Sequence, residues 1–80
     1  MTLYECALGA KCKIISCEAK DEALCDRLMS FGIVKDKICQ VVNHSFRRLA
    51  VVILIEGTQV ALRDSEAKMI IVEVLENKAS

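Results

Sequence analysis

Apolar and polar residues alternate over residues 11–18, where Cys12 and Ile14 fall on one side and Lys11 and Lys13 on the other. Side chains of a strand alternate between its two faces, so this pattern predicts a strand with one buried face. Four later segments are short, rich in β-branched residues and separated by polar turns, as is typical of strands: residues 38–42, 49–55, 59–62 and 69–75. The pattern therefore predicts five strands.

Residues 21–31 change to a helical period, because Leu24, Leu28 and Phe31 recur three or four positions apart. Gly32 follows directly, where a left-handed residue commonly closes a helix. Ile33, just beyond the glycine, is placed to pack back on Leu28, as in a Schellman ending. We therefore predict a helix over residues 21–31.

Two shorter helical turns are predicted near the ends of the chain. The spacing of Thr2 and Glu5 fits a capping box, which predicts a single turn ending near Gly9. Residues 64–67 predict another turn, capped by Asp64 or Ser65.

Five short strands cannot form two full sheets, whereas a bent sheet that closes as a small barrel buries its apolar face without open edges. We expect a mainly β, five-stranded barrel with one helix between the first and second strands. It forms a single domain over residues 1–80, with residues 76–80 frayed.

The order of these landmarks resembles the FeoA family, the small SH3-like barrel proteins of bacterial ferrous-iron uptake. The motifs that carry the resemblance cover most of residues 1–75: Thr2-Leu3, Leu8-Gly9, Leu28-Met29-Ser30-Phe31-Gly32-Ile33, Val60-Ala61-Leu62-Arg63, Glu66-Ala67 and Ile70-Ile71-Val72. One departure follows the helix, where the family commonly has a Pro-Gly turn and this chain has Lys35-Asp36. Asp tolerates left-handed backbone better than most residues.

The resemblance implies a cytoplasmic accessory protein that is not an enzyme. It implies binding to FeoB, a membrane ferrous-iron permease with a GTP-hydrolysing cytosolic part, and modulation of iron transport through protein–protein contacts. The fold also resembles the SH3-like domain of iron-dependent repressors. A metal-binding or metal-sensing domain is therefore the alternative function.

The composition narrows the range of partners. The 80 residues include 11 basic and 11 acidic side chains, and 54 % of residues are hydrophobic, which excludes a disordered chain. A neutral chain lacks the basic surface that phosphate contacts require, so we expect no nucleic-acid partner. The longest apolar run, residues 49–55, is far shorter than the ~20 residues that span a bilayer, so we expect no direct membrane insertion.

The residues that could act in catalysis or bind a metal ion form no recognised motif. The chain has neither a phosphate-binding glycine loop nor a C-x-x-C pair, and His44 is the only histidine. We interpret Cys6, Cys12, Cys17, Cys25 and Cys39 as reduced, largely buried thiols. We predict no catalytic residue, no cofactor site and no metal site, while Fe²⁺ binding by His44 with a thiol or carboxylate stays open.

The apolar residues of two strands exceed what one buried face requires. If Val51, Ile53 and Ile55 face the core, then Val52 and Leu54 point to the other face, and Ile71 does the same between Ile70 and Val72. Outward apolar side chains need cover from the protein's own helix, a second copy or another protein. Val52, Leu54 and Ile71 are therefore the candidate partner-binding residues, and a homo-oligomer is one form that the contact could take.

Overall fold

Five antiparallel strands form one sheet in the computed structural model, which describes residues 1–76 apart from the side chains of Phe46 and Glu76. The strands are β1 (Lys11–Cys17), β2 (Ile38–His44), β3 (Ala50–Ile55), β4 (Thr58–Arg63) and β5 (Ile70–Glu76). Helix α1 (Glu22–Ser30) joins β1 to β2, and the single turn α2 (Asp64–Ala67) joins β4 to β5. Short 3-10 turns occupy Leu3–Glu5 and Phe46–Arg48.

The predicted strands and helix are confirmed to within two residues at each end, but the predicted barrel closure is wrong. The strand order is β4-β3-β2-β1-β5, so within residues 1–76 the hydrogen-bonded ladder stays open between β4 and β5. The segment that connects these two edges does not pair with them. Its turn α2 buries Glu66 and Ala67, so the core is covered at the gap by a helical turn rather than by a fifth strand pairing.

The alternating pattern places its apolar residues in one core, as predicted. On β3, Val51, Ile53 and Ile55 are buried, and their neighbours Val52 and Leu54 are half-buried on the other face. The same core includes Leu3, Cys12, Ile14, Leu28, Cys39, Val41, Leu62 and Ile70. Cys12 and Cys39 therefore act as small apolar residues between strands.

The end of α1 is a Schellman motif, as predicted. The amide of Ile33 donates to the carbonyl of Leu28 at 3.1 Å, and the amide of Gly32 donates to that of Met29 at 2.9 Å. Gly32 has φ +90°, a conformation that L side chains rarely adopt. Both Leu28 and Ile33 are buried, so the turn anchors the end of the helix in the core.

Asp36 lies where the sequence departs from the Pro-Gly turn that is common in the family it resembles. Its φ is 73°, so this aspartate takes the left-handed conformation that glycine would otherwise supply. Its amide donates to the carbonyl of Ile14 at 2.8 Å, and the amide of Ile14 donates to the carbonyl of Lys37 at 2.8 Å. The turn thus connects α1 to β2 while remaining hydrogen-bonded to β1.

The two short helical turns differ from their predictions. The first ends at Glu5 rather than near Gly9, and its Glu5 carboxylate accepts a hydrogen bond from the Thr2 amide at 2.7 Å. The turn α2 begins after Arg63, not after Asp64 or Ser65, because the Glu66 carboxylate accepts from the Arg63 amide at 2.8 Å. In both turns, a glutamate three residues after the N-cap residue accepts a hydrogen bond from that residue's amide.

Candidate functional site

Val52 and Leu54 lie on the face of β3 that points away from the core. Val52 is paired with Asn43 of β2 and Ala61 of β4. Leu54 is paired with Gln40 of β2 and Gln59 of β4. We call Val52 and Leu54 the β3 strip. It is a narrow apolar line, half-buried by its neighbours and bordered mainly by polar side chains.

Ile71 is not next to the β3 strip. It is paired with Ser16 of β1 and forms an isolated bridge to Thr2, which lies along the other side of β5. Three strand spacings separate β3 from β5 in the sheet, a path of about 14 Å. The N-terminal segment also covers this part of β5, since the Val72 amide donates to the Met1 carbonyl at 2.8 Å. The three candidate residues therefore do not form one continuous surface.

A groove beside α1 is a second apolar surface, which the sequence reasoning missed. Its volume is about 320 Å³, and it lies between β1, the end of α1 and the segment that follows Gly32. Ile15, Met29, Ile33 and Val34 are among the residues that line it, and Met29 is 55 % exposed. A β-bulge between Ile14 and Ser16 interrupts the β1 alternation here. The helical period placed Leu28 in the core but gave no sign that the adjacent Met29 borders a groove.

The predicted burial of the five thiols is confirmed for three of them. Cys6, Cys12 and Cys39 are buried, whereas Cys17 and Cys25 are only partly covered. Burial raises the pKa of the Cys39 thiol to about 11, and the pKa of Cys12 is raised further by its hydrogen bond to Cys6. Because a thiolate is the metal-binding form of cysteine, Cys12 and Cys39 are poorly suited to bind a metal ion at neutral pH.

His44 lies at the end of β2, paired with Val51 of β3. Its pKa is lowered mainly by burial and secondarily by the nearby Arg48 guanidinium, so the imidazole is neutral at pH 7. Its Nε2 atom is buried and makes no hydrogen bond. Across residues 1–76, no three side chains of His, Cys, Asp or Glu converge as a metal site would require.

The segment beside His44 has unusual backbone geometry. Arg47 and Arg48 both have positive φ values, of 62° and 55°, within a 3-10 turn that the sequence did not predict. The Arg48 guanidinium donates to the Tyr4 carbonyl and lies 4.5 Å from the centre of the Tyr4 ring, while Lys68 lies 4.8 Å from the same ring. Arg48 therefore holds this turn against the N-terminal segment, which accounts for its position without a ligand.

Comparison with solved structures defines the class of fold. The structure of FeoA from Stenotrophomonas maltophilia complexed with zinc, described as a prokaryotic SH3 domain protein, is 29 % identical with a TM-score of 0.80. The match covers 91 % of this chain and 89 % of that one. This chain is therefore a small, mainly β protein of SH3-like fold. No helix among residues 1–76 is both long and apolar enough to cross a membrane.

Further comparisons identify the family. A family model described as the FeoA domain matches residues 1–74. A Campylobacter jejuni protein, provisionally named Fe(2+) transport protein A, is 35 % identical over 75 residues, which cover 94 % of this chain and all of that protein. The FeoA structure from Chlorobium tepidum is 26 % identical with a TM-score of 0.88, covering 95 % of this chain and 71 % of that one. The chain belongs to the FeoA family, whose members are accessory proteins of ferrous-iron transport.

The same fold occurs in a different class of protein. A manganese-dependent transcriptional repressor is 22 % identical with a TM-score of 0.86, and the match covers 94 % of this chain but only 36 % of the repressor. At that identity, the likeness establishes a shared fold and no shared function.

Proposed function

We propose that this protein is a cytoplasmic, non-enzymatic accessory of ferrous-iron uptake. In this proposal it binds the GTP-hydrolysing cytosolic part of an FeoB-type permease and modulates transport through protein–protein contacts. The observation that carries the proposal is the match of the FeoA family model to residues 1–74.

The surface chemistry supports action through binding. The β3 strip and the groove beside α1 both present apolar atoms to solvent, and such surfaces on a small domain are typical of protein contacts. We assign the permease contact to the β3 strip, because Val52 and Leu54 lie side by side on a sheet face and are bordered by amides that can form a polar rim. Ile71 belongs to this interface only if the partner extends across β2 and β1.

The test is a calorimetric titration of the protein against the cytosolic part of the permease, without nucleotide and with GDP or a non-hydrolysable GTP analogue. Leu54→Asp places a charge in the β3 strip and is expected to weaken binding at least tenfold. Leu54→Gln, which matches the flanking Gln40 and Gln59, is a milder second variant. Urea unfolding of each variant verifies that the fold is retained.

Leu49→Asp is the matched control. Leu49 is 61 % exposed and precedes the first residue of β3, so the same change of side chain falls outside the strip. Binding by folded Leu54→Asp at wild-type strength would contradict the β3 strip as the interface. A lack of binding in every nucleotide state would contradict the partnership itself. Sedimentation of the protein alone shows whether a second copy covers the strip instead.

The alternative, a metal-sensing domain, has less support from the described residues, because no three potential ligands converge in them. An anaerobic Fe²⁺ titration distinguishes the two functions. Binding of one Fe²⁺ per chain that His44→Ala abolishes would favour metal sensing over the adaptor function.

A further inference from the structure

Cys17 and Cys25 form a close pair of thiols at the junction of β1 and α1. Cys17 is the last residue of β1, Cys25 lies in the first half of α1, and their Sγ atoms are 2.6 Å apart. A disulfide bond is ~2.05 Å long, so the two sulfurs need to approach by only about 0.6 Å to form one. Both residues are half-buried and thus remain open to reagents in solution.

The local fold holds the two sulfurs together. Residues 18–21 connect β1 to α1, and the Asp21 carboxylate caps the helix by accepting from the Ala23 amide at 2.9 Å. The Cys25 thiol also lies 3.8 Å from the carbonyl oxygen of Ala19 and 4.0 Å from that of Cys17. The cap thus fixes where α1 begins, and the Cys25 side chain turns back towards the end of β1.

A second thiol pair offers an internal comparison. The Sγ atoms of Cys6 and Cys12 are 3.1 Å apart, but both residues are almost completely buried, with exposures of 1 % and 0 %. Cys39 is buried as well. Both pairs are close enough to form a disulfide, but only Cys17 and Cys25 are exposed to an oxidant in solution.

We propose that Cys17 and Cys25 are a redox-active dithiol site whose reaction partner is a low-molecular-weight disulfide such as glutathione disulfide. One cysteine thiolate attacks a glutathione sulfur, forms a mixed disulfide and releases the first glutathione. The other cysteine then attacks the protein sulfur of that mixed disulfide, forms the Cys17–Cys25 bond and releases the second glutathione. The dithiol loses two electrons, glutathione disulfide gains them, and the two thiol protons end on the two glutathione molecules.

Oxidation at this position changes the connection between the sheet and α1. Cys17 lines the groove beside α1, while residues 18–21 line a second cavity of about 340 Å³ together with Leu24, Ser65 and Met69. The disulfide would tie the segment between the two cavities to α1. The redox state of the pair would thereby set how freely α1 moves against the groove.

The test uses the reduced wild-type protein, which is incubated with glutathione disulfide under native conditions. It is then blocked with iodoacetamide in urea, so that the buried thiols are also labelled, and digested with trypsin. Trypsin cuts after Lys13, Lys20 and Arg27, so Cys17 and Cys25 fall on different peptides, 14–20 and 21–27. The expected product is these two peptides joined by a disulfide, with the other three cysteines carrying the iodoacetamide label. Closing this short loop is expected to raise the melting temperature by roughly 10 °C.

Single variants provide the controls. Cys25→Ser is expected to stop the reaction at the mixed disulfide of Cys17, whereas Cys6→Ser leaves formation of the 14–20 and 21–27 pair unchanged. The proposal is overturned if native wild-type protein yields no linked peptide, if it accumulates only mixed disulfides, or if Cys6 and Cys12 become linked as fast as Cys17 and Cys25. Linkage of Cys17 to Cys25 only in urea also overturns it, because the folded junction would then not be what brings the sulfurs together.

Discussion

Replacement of Glu66 tests how α2 closes the gap between the two edges of the sheet. Glu66 is only 5 % exposed, and its carboxylate accepts from the Arg63 amide at 2.8 Å and lies 3.3 Å from the Arg27 guanidinium. Glu66→Ala leaves the Arg63 amide without its partner, which costs about 1–2 kcal/mol. It also removes one buried methylene group, worth about 0.8 kcal/mol.

The contribution of Arg27 is expected to be small, because its side chain is 58 % exposed and the ion pair is screened by solvent. Such pairs contribute about 0.5 kcal/mol or less. Together these terms predict a loss of about 2–3 kcal/mol for Glu66→Ala. For 80 residues at ~0.05–0.15 kcal/mol each, the total free energy of unfolding is about 4–12 kcal/mol. The single substitution therefore removes at least about a sixth of it.

Urea unfolding measures this loss directly. With a slope of about 1 kcal/mol per molar urea, the midpoint of Glu66→Ala is expected to fall by about 2–3 M. Glu66→Gln keeps an oxygen that accepts from Arg63, so it is expected to lose only about 1 kcal/mol. Asp26→Ala, at an exposed carboxylate of α1, is the control and is expected to change stability by less than about 0.5 kcal/mol.

Two results would contradict this reasoning. If Glu66→Ala loses less than about 0.5 kcal/mol, the buried hydrogen bond does not stabilise the gap. If Arg27→Ala loses as much as Glu66→Ala, the ion pair rather than the Arg63 amide carries the effect, contrary to its exposure.

Two further predictions concern Glu5 in the first 3-10 turn and Gly32 at the end of α1. The Thr2 amide holds the pKa of Glu5 below its ordinary value, so this carboxylate stabilises the fold fully above its unfolded pKa and progressively less as pH falls through the folded pKa. The difference in urea midpoint between wild type and Glu5→Gln should therefore shrink from pH 7 to pH 3, and a constant difference would refute the assignment. Gly32→Ala forces a φ of +90° on alanine, while the new Cβ has nothing within 4 Å. We therefore expect backbone strain alone to lower the free energy of unfolding by ~1 kcal/mol. Unchanged urea unfolding would contradict this prediction.

Local signals in the sequence predicted the elements well, because each has a short-range cause. The run of β-branched residues around Ile53 predicted β3, and the spacing of Leu28, Gly32 and Ile33 predicted the Schellman ending. The reversal at Glu56-Gly57 joins β3 to β4, and both residues have positive φ values of 51° and 77°. Two-residue hairpin loops with positive φ values favour glycine.

The interactions missed by the sequence reasoning join residues far apart in the chain. The open ladder between β4 and β5 depends on how a six-residue connection packs, and the buried Glu66 of that connection contacts Arg27 of α1. Arg48, one of two neighbouring arginines with positive φ values, contacts Tyr4, more than 40 residues away. Nothing in the local pattern of either segment indicates these contacts.

The candidate partner-binding residues were also predicted only in part from the local sequence. Alternation along β3 placed Val52 and Leu54 on one face, because a strand allows no other arrangement. Whether Ile71 joins them depended on strand order, which places β5 three strands away from β3. Their use in binding the permease stays a prediction.

By itself, the sequence determined the five strands, the helix and its ending, the burial of one strand face, and the resemblance to the FeoA family, since each depends on periodicity or on short motifs. Only the tertiary structure decided that the ladder stays open, that Ile71 is separate from the β3 strip, and that a groove borders α1. It also brought Cys17 and Cys25 together across a turn. These features depend on how elements pack against one another, and packing is determined by the whole chain at once rather than by any one segment.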